Sequence, residues 1–81
     1  MTITEVKTIV AEVLETDPAG IQGDTDLRCL PGFDSVNALA LMIALDERAR
    51  ILLGPQEIAS LRYFRELEEL AAKQGVFLEP S

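Results

Sequence analysis

The sequence lacks histidine altogether, and its only cysteine is Cys29. Without an imidazole base, no serine here can be activated in the manner of a hydrolase triad. One cysteine cannot close an internal disulfide, which suits a reducing compartment. With one cysteine and no histidine, the chain also lacks the set of ligands that usually holds a structural zinc ion. We therefore expect neither a catalytic residue nor a metal site in this chain.

Basic residues are also few: seven Lys and Arg stand against fourteen Asp and Glu, giving a net charge of −7. The seven are scattered along the chain, so a nucleic-acid backbone would be repelled rather than bound. An acidic domain attracts basic partner surfaces, although acidity serves solubility in many proteins. The charge therefore excludes nucleic acid as a partner and leaves both other interpretations open.

Long hydrophobic runs are absent. The longest, Ala38 to Leu45, has eight residues, whereas a membrane helix needs about 20. The N-terminus shows no basic region followed by an apolar stretch, as a targeting signal would. At 81 residues the chain is expected to be one domain. These observations predict a cytoplasmic protein without a membrane span.

Hydrophobic periodicity predicts helices. A capping-box spacing at Thr2 and Glu5, followed by an apolar stripe at three- and four-residue steps, predicts a first helix over residues 3–15. Residues 16–34 form a long connection, and we expect one helical turn near residues 25–30. The apolar residues of this connection should pin it onto the helices; they are Ile21, Leu27, Leu30 and Phe33.

A second helix is predicted to begin at Asp34 or Ser35, either of which is a good N-cap, and to end near Arg50. It carries two apolar stripes. One, suited to the core, comprises Ala38, Leu41, Met42, Leu45 and Ala49; the other comprises Val36, Leu39, Ala40 and Ile43. A helix in a small bundle needs only one such stripe. The second either packs beneath the long connection or is exposed for a partner.

The remaining sequence predicts a short helix over residues 55–60, which begins at Pro55, and a last helix over residues 63–73. Gly75 is the expected C-terminal cap of that helix. Residues 76–81 look like a tail that is partly docked through Phe77. The overall prediction is an all-α bundle with three longer helices and one short one. Residues 1–75 would form the domain.

The stretch Gly32-Phe33-Asp34-Ser35-Val36 joins the long connection to the second helix. A hydroxyl at that junction can be reached by another enzyme. The helix dipole and the free N–H groups favour a phosphate attached nearby. Taken alone, Ser35 or Asp34 could equally be a simple N-cap.

The order of helices and this stretch resemble the acyl carrier and peptidyl carrier protein family, whose members carry Gly-x-Asp-Ser-(Leu/Val/Met) at the start of the second helix. The resemblance covers residues 3–72. It implies an acyl-carrier-like bundle, here as a free-standing protein. It also implies that Ser35 bears a covalent 4′-phosphopantetheine from coenzyme A, with Asp34 helping to position either the junction or the metal-bound complex.

The same resemblance implies that the chain is no enzyme but a carrier of acyl or aminoacyl thioesters. Its partners would be a phosphopantetheinyl transferase, a loading enzyme and a downstream synthase or transferase. Val36, Leu39 and Ile43 would face these partners, and Glu47 would flank them. We expect a monomer, because a carrier must visit several active sites.

Two departures from the family pattern bear on the pathway. Positions 37, 38 and 40 are Asn, Ala and Ala, where many fatty-acid carriers have carboxylates, and Pro31 precedes the glycine. A housekeeping fatty-acid role is therefore disfavoured relative to a polyketide, nonribosomal peptide, modified lipid or surface-polymer pathway. The alternative class is a helical docking or adaptor module without a covalent cofactor. For Cys29 we expect a buried or half-buried, unreactive side chain.

Overall fold

The computed structural model describes residues 1–80. Over that range it contains four α-helices: α1 (Ile3–Leu14), α2 (Ser35–Ala49), α3 (Pro55–Ser60) and α4 (Phe64–Lys73). Two 3₁₀ turns, Pro18–Gly20 and Leu27–Cys29, lie in the connection between α1 and α2. The predicted all-α bundle of three longer helices and one short helix is confirmed.

Helix α1 begins with the predicted capping box. The Glu5 backbone N–H donates to Thr2 Oγ1 at 3.1 Å, and the Thr2 N–H donates to Glu5 Oε1 at 3.3 Å. The helix ends one residue earlier than predicted, because Glu15 takes a left-handed conformation with a φ of 56°. Helix α2 ends in the same way, with Arg50 at a φ of 56°. Side-chain periodicity does not report such one-residue reversals of the backbone.

The core is formed by apolar side chains from all the helices except α3, together with the connections. Helix α2 contributes Leu41, Leu45 and Ala49, three residues of the stripe that was predicted to face the core. Met42, from the same stripe, is half-buried. No polar or charged side chain is buried within residues 1–80. Burial of each large side chain contributes roughly 1.5–3 kcal/mol, so the bundle depends on this cluster.

Two kinds of contact hold the long connection in place: side-chain packing on the core and backbone hydrogen bonds. Ile21 and Leu27 are buried in the core, and Leu30 and Phe33 pack against it, as predicted. The backbone of residues 23–27 also pairs with the segment that enters α4. Its hydrogen bonds are Leu27 N to Arg62 O at 2.6 Å, Phe64 N to Thr25 O at 3.1 Å, and Arg65 N to Gly23 O at 2.9 Å.

The C-terminal segment docks, but not through Phe77. The Ile3 N–H donates to Glu79 O at 2.9 Å, and the Glu79 N–H donates to Met1 O at 3.0 Å. Val76 and Leu78 pack against the core, whereas Phe77 is 74% exposed. Side chains alternate along an extended segment, so the side chain between two inward ones faces outward. The prediction for Phe77 is therefore wrong, and Ser81 lies outside the described residues.

Over residues 1–80, none of the helices combines the length and the apolar character that crossing a membrane requires.

Gly32 marks a close approach between the long connection and the end of α1. A Cβ at this position would lie 2.7 Å from the carbonyl carbon of Leu14 and well inside van der Waals contact with its oxygen. Only glycine lets the backbone pass so near. This contact fixes the position of the backbone three residues before Ser35.

We expect Gly32→Ala to lower the free energy of unfolding by about 1–3 kcal/mol, the usual cost of forcing extra atoms into a packed contact. Urea denaturation followed by circular dichroism measures the change. Gly20→Ala is the control, since a Cβ there meets nothing within 4 Å. If the two variants were equally stable, the proposed contact at Gly32 would be wrong.

Candidate functional site

The junction between the long connection and α2 is organised by Asp34. Its Oδ1 accepts from the Asn37 backbone N–H at 2.7 Å, so Asp34 is the N-cap. The Asn37 side chain forms a second hydrogen bond across the junction, in which its Nδ2 donates to the Gly32 carbonyl at 2.7 Å. The sequence left Asp34 and Ser35 as equal candidates for the cap. The structure assigns the cap to Asp34.

Ser35 is consequently the first residue of α2, and its side chain is exposed. Within residues 1–80 the Ser35 hydroxyl has no hydrogen-bond partner. The fold therefore does not need this hydroxyl. Its position places it at the positive end of a 15-residue helix dipole. A negatively charged group attached there is stabilised rather than opposed.

An open groove of about 420 Å³ lies beside Ser35, between the start of α2 and the end of α3. Its walls comprise Arg28, Phe33, Asp34, Ser35, Ala38, Ile58 and Ala59. The groove is therefore built from the long connection, the first turns of α2, and α3. The Ser35 hydroxyl therefore borders an open groove and is also accessible to solvent.

Arg28 joins the three parts of this groove. Its Nε donates to the Leu61 carbonyl at 2.7 Å, and its Nη2 donates to the carbonyls of Ile58, at 3.0 Å, and Ala59. Its guanidinium also lies over the Phe33 ring, 5.2 Å from the centroid. A cation at the end of α3 favours the negative end of the helix dipole. Arg28 thus ties the chain before Ser35 to α3.

Sequence reasoning did not select Arg28. One signal was available: it is the only basic residue between Lys7 and Arg48. A lone cation in a long connection has no periodicity, however, and its acceptors lie about 30 residues away, at separations of 30 to 33. Every helix has unpaired backbone carbonyls at its C-terminal end, whatever its sequence, so the sequence does not mark these acceptors. Their pairing with Arg28 emerges only from the fold.

The second stripe of α2 is exposed. Val36 is 75% exposed, Leu39 57% and Ile43 52%, and Glu47 and Ala40 are exposed too. The alternative, that this stripe packs beneath the long connection, is wrong. Leu52, which sequence reasoning did not select, is 60% exposed and shares a surface depression with Leu39 and Ile43. Large exposed apolar side chains therefore extend from beside Ser35 to the connection after α2.

Cys29 is exposed, contrary to the expectation of a buried or half-buried side chain. The tight 3₁₀ turn directs Leu27 into the core and leaves Cys29, two residues later, on the outer side. A hydrogen bond to the Asp26 carboxylate and the negative charge of that group raise the pKa of the Cys29 thiol. The thiol is therefore accessible, and its raised pKa disfavours the reactive thiolate.

Comparison with known protein families gives one result. The model of a family described as "phosphopantetheine attachment site" matches residues 4–71. The match spans α1, the long connection, α2 and α3, and most of α4. It includes Ser35 and Ser60 but not Ser81. No curated protein matches the chain.

Asp26 anchors the connection that leads to this site. Its Oδ1 accepts from the Arg28 backbone N–H at 3.0 Å, and its Oδ2 forms an ion pair with Arg62 Nε at 2.8 Å. The Arg62 hydrogen bond holds the pKa of the Asp26 carboxyl below its usual value. A carboxyl whose pKa falls on folding stabilises the fold above its unfolded pKa. That contribution is lost as the pH falls through the lower, folded pKa.

We expect wild type to be more stable than Asp26→Asn at neutral pH, with the advantage shrinking below about pH 4, the ordinary Asp pKa. Urea denaturation at a series of pH values measures the difference. Asp24→Asn serves as the control, because Asp24 is exposed and forms no ion pair within residues 1–80. An Asp26 advantage that persisted unchanged to pH 2 would contradict the assigned ion pair.

Proposed function

Because the chain belongs to the phosphopantetheine attachment-site family, whose members hold 4′-phosphopantetheine covalently on a serine, we propose that Ser35 is that serine. The protein then serves as a carrier that holds an acyl or aminoacyl group for partner enzymes. One observation carries the proposal: at the first position of α2, Ser35 offers an exposed hydroxyl that has no hydrogen-bond partner among the described residues 1–80.

The other serines fit less well. The Ser60 hydroxyl donates to the Glu57 carbonyl at 3.2 Å. Ser60 is also the last residue of α3, where the negative end of the helix dipole opposes a phosphate. Ser81 lies beyond the matched residues. Of the serines within residues 1–80, Ser35 alone combines a free hydroxyl with the positive end of a helix.

The attachment we propose is a displacement at phosphorus. Ser35 Oγ forms a bond to the phosphorus next to the pantetheine of coenzyme A. The bond from that phosphorus to the adenosine portion breaks, and adenosine 3′,5′-bisphosphate leaves. The hydroxyl proton passes to a base on the transferase, which also brings Mg²⁺. This chain supplies the nucleophile, and the Asp34 cap holds its backbone in place.

Once bound, the group supplies a flexible arm that ends in a thiol, on which cargo is held as a thioester. A tether of this kind raises the effective concentration of cargo at a docked active site. The chemistry belongs to the partners, so the chain acts as substrate and shuttle rather than catalyst. Residues 1–75 form the carrier domain in this proposal.

We further propose that partners dock on the exposed stripe of α2. It begins at Val36, one residue after Ser35, continues through Leu39 and Ile43, and has Glu47 at its edge. Contiguous exposed apolar side chains commonly mark an interaction surface. The few carboxylates near Ser35 favour apolar recognition and a specialised polyketide, nonribosomal peptide, modified lipid or surface-polymer pathway. A cytoplasmic monomer suits this role.

Incubation with coenzyme A, Mg²⁺ and a promiscuous transferase should add one group of roughly 340 Da, a covalent modification visible by intact-mass spectrometry. Ser35→Ala should abolish the gain while leaving helicity unchanged. Ser60→Ala, the matched control, should retain it. A wild-type chain that stays unmodified with every competent transferase would overturn the proposal and favour the adaptor module without a cofactor.

Leu39→Ala should lower kcat/KM for this modification about fivefold, which corresponds to about 1 kcal/mol of lost transition-state binding. Its unfolding free energy should change little, because Leu39 is 57% exposed. Phe77→Ala removes an apolar side chain that is more exposed still, at 74%, and lies away from α2, so it should leave the rate unchanged. Equal rates for both variants would argue against docking on this stripe.

A further inference from the structure

The groove beside Ser35 contains one cation. Of the residues that form its walls, Arg28 is basic and Asp34 is acidic, and the others are uncharged. We propose that Arg28 binds the phosphodiester formed at Ser35, donating from Nη1 to a phosphate oxygen. The inference rests on the proposed attachment at Ser35 and assigns a residue of this chain to the phosphate.

Arg28 has donors left for this contact. A guanidinium carries five N–H groups. In Arg28, Nε and Nη2 donate to the carbonyls of Leu61, Ile58 and Ala59. Within residues 1–80, Nη1 has no acceptor. Two N–H groups on the same charged plane therefore remain for a ligand, and guanidinium geometry suits phosphate oxygens.

The side chain is also fixed in advance. Three carbonyls hold one edge of the guanidinium, and the Phe33 ring lies against it at 5.2 Å. A free arginine on a surface loses much rotamer freedom when it binds an anion. Arg28 has already lost that freedom to the α3 carbonyls, so the contact costs less entropy.

Charge balance points in the same direction. The phosphodiester adds a negative charge next to the Asp34 carboxylate, in a chain whose net charge is already −7. Three other arginines of the chain have partners elsewhere. Arg62 pairs with Asp26, Arg48 pairs with Glu12, and Arg65 lies over Tyr63. Arg28 is the cation that shares a groove with Ser35 and can offset the new charge.

The test compares the ³¹P chemical shift of the phosphodiester in the modified forms of wild type, Arg28→Gln and Arg65→Gln. We expect the Arg28→Gln signal to differ from wild type at 0.01 M salt. The difference should narrow at 1 M, since the Debye length falls from about 30 Å to about 3 Å. Arg65→Gln removes the same charge outside the groove and should match wild type. Arg28→Lys keeps the charge but not the forked geometry of the guanidinium, so its ³¹P shift should lie between those of wild type and Arg28→Gln.

A second measurement uses wild type alone, in case Arg28→Gln does not fold. We expect solvent exchange of the Arg28 Nη1 protons to slow severalfold when Ser35 is modified. Unchanged exchange together with identical ³¹P shifts for wild type and Arg28→Gln would overturn the inference and leave the attachment intact. Absence of the mass gain at Ser35 would overturn the attachment, and this inference with it.

Discussion

The approach of the Gly32 backbone to the carbonyl of Leu14 is the constraint on which the site depends. It sets the long connection against the end of α1 with no side chain between them. Asn37 then holds the Gly32 carbonyl at 2.7 Å, and Asp34 caps α2. The first turn of α2 is therefore fixed from both directions. If the proposed arm is attached to a backbone that does not move, the distance it can span depends only on the length of the arm.

The junction divides its tasks among neighbouring residues. Asp34 caps the backbone at the start of α2, so the hydroxyl of Ser35 is not needed for capping and has no partner within residues 1–80. Arg28 couples the same junction to α3 through the Ile58 and Ala59 carbonyls. The exposed side chains of α2 begin immediately after the serine. The capping residue, the proposed attachment residue and the proposed docking residues are therefore neighbours that do not compete for the same atoms.

Much of this could be predicted from the sequence, because the signals are local. The Thr2–Glu5 capping box and the spacing of apolar residues located α1, and Pro55 located the start of α3. The resemblance around Gly32 to Val36 gave the family, which the match over residues 4–71 confirms. Such features depend on residues within one or two turns of each other.

The features that escaped prediction depend on distant contacts or on the direction of one side chain. The acceptors of Arg28 belong to a helix end that follows it by about 30 residues, at separations of 30 to 33. Cys29 was expected to be buried or half-buried and Phe77 to dock the tail, yet a tight turn and an alternating segment direct them outward. Burial of an isolated residue in a connection is not encoded by periodicity.

The central claim is that the fold leaves the Ser35 hydroxyl exposed and, within residues 1–80, without a hydrogen-bond partner, ready for an attached group. Its most direct test is a map of backbone amide chemical shifts before and after treatment with coenzyme A and a transferase. We expect changes confined to the start of α2 and the facing end of α3, with the rest of the bundle unmoved. Changes centred elsewhere, or spread through the core, would contradict the claim.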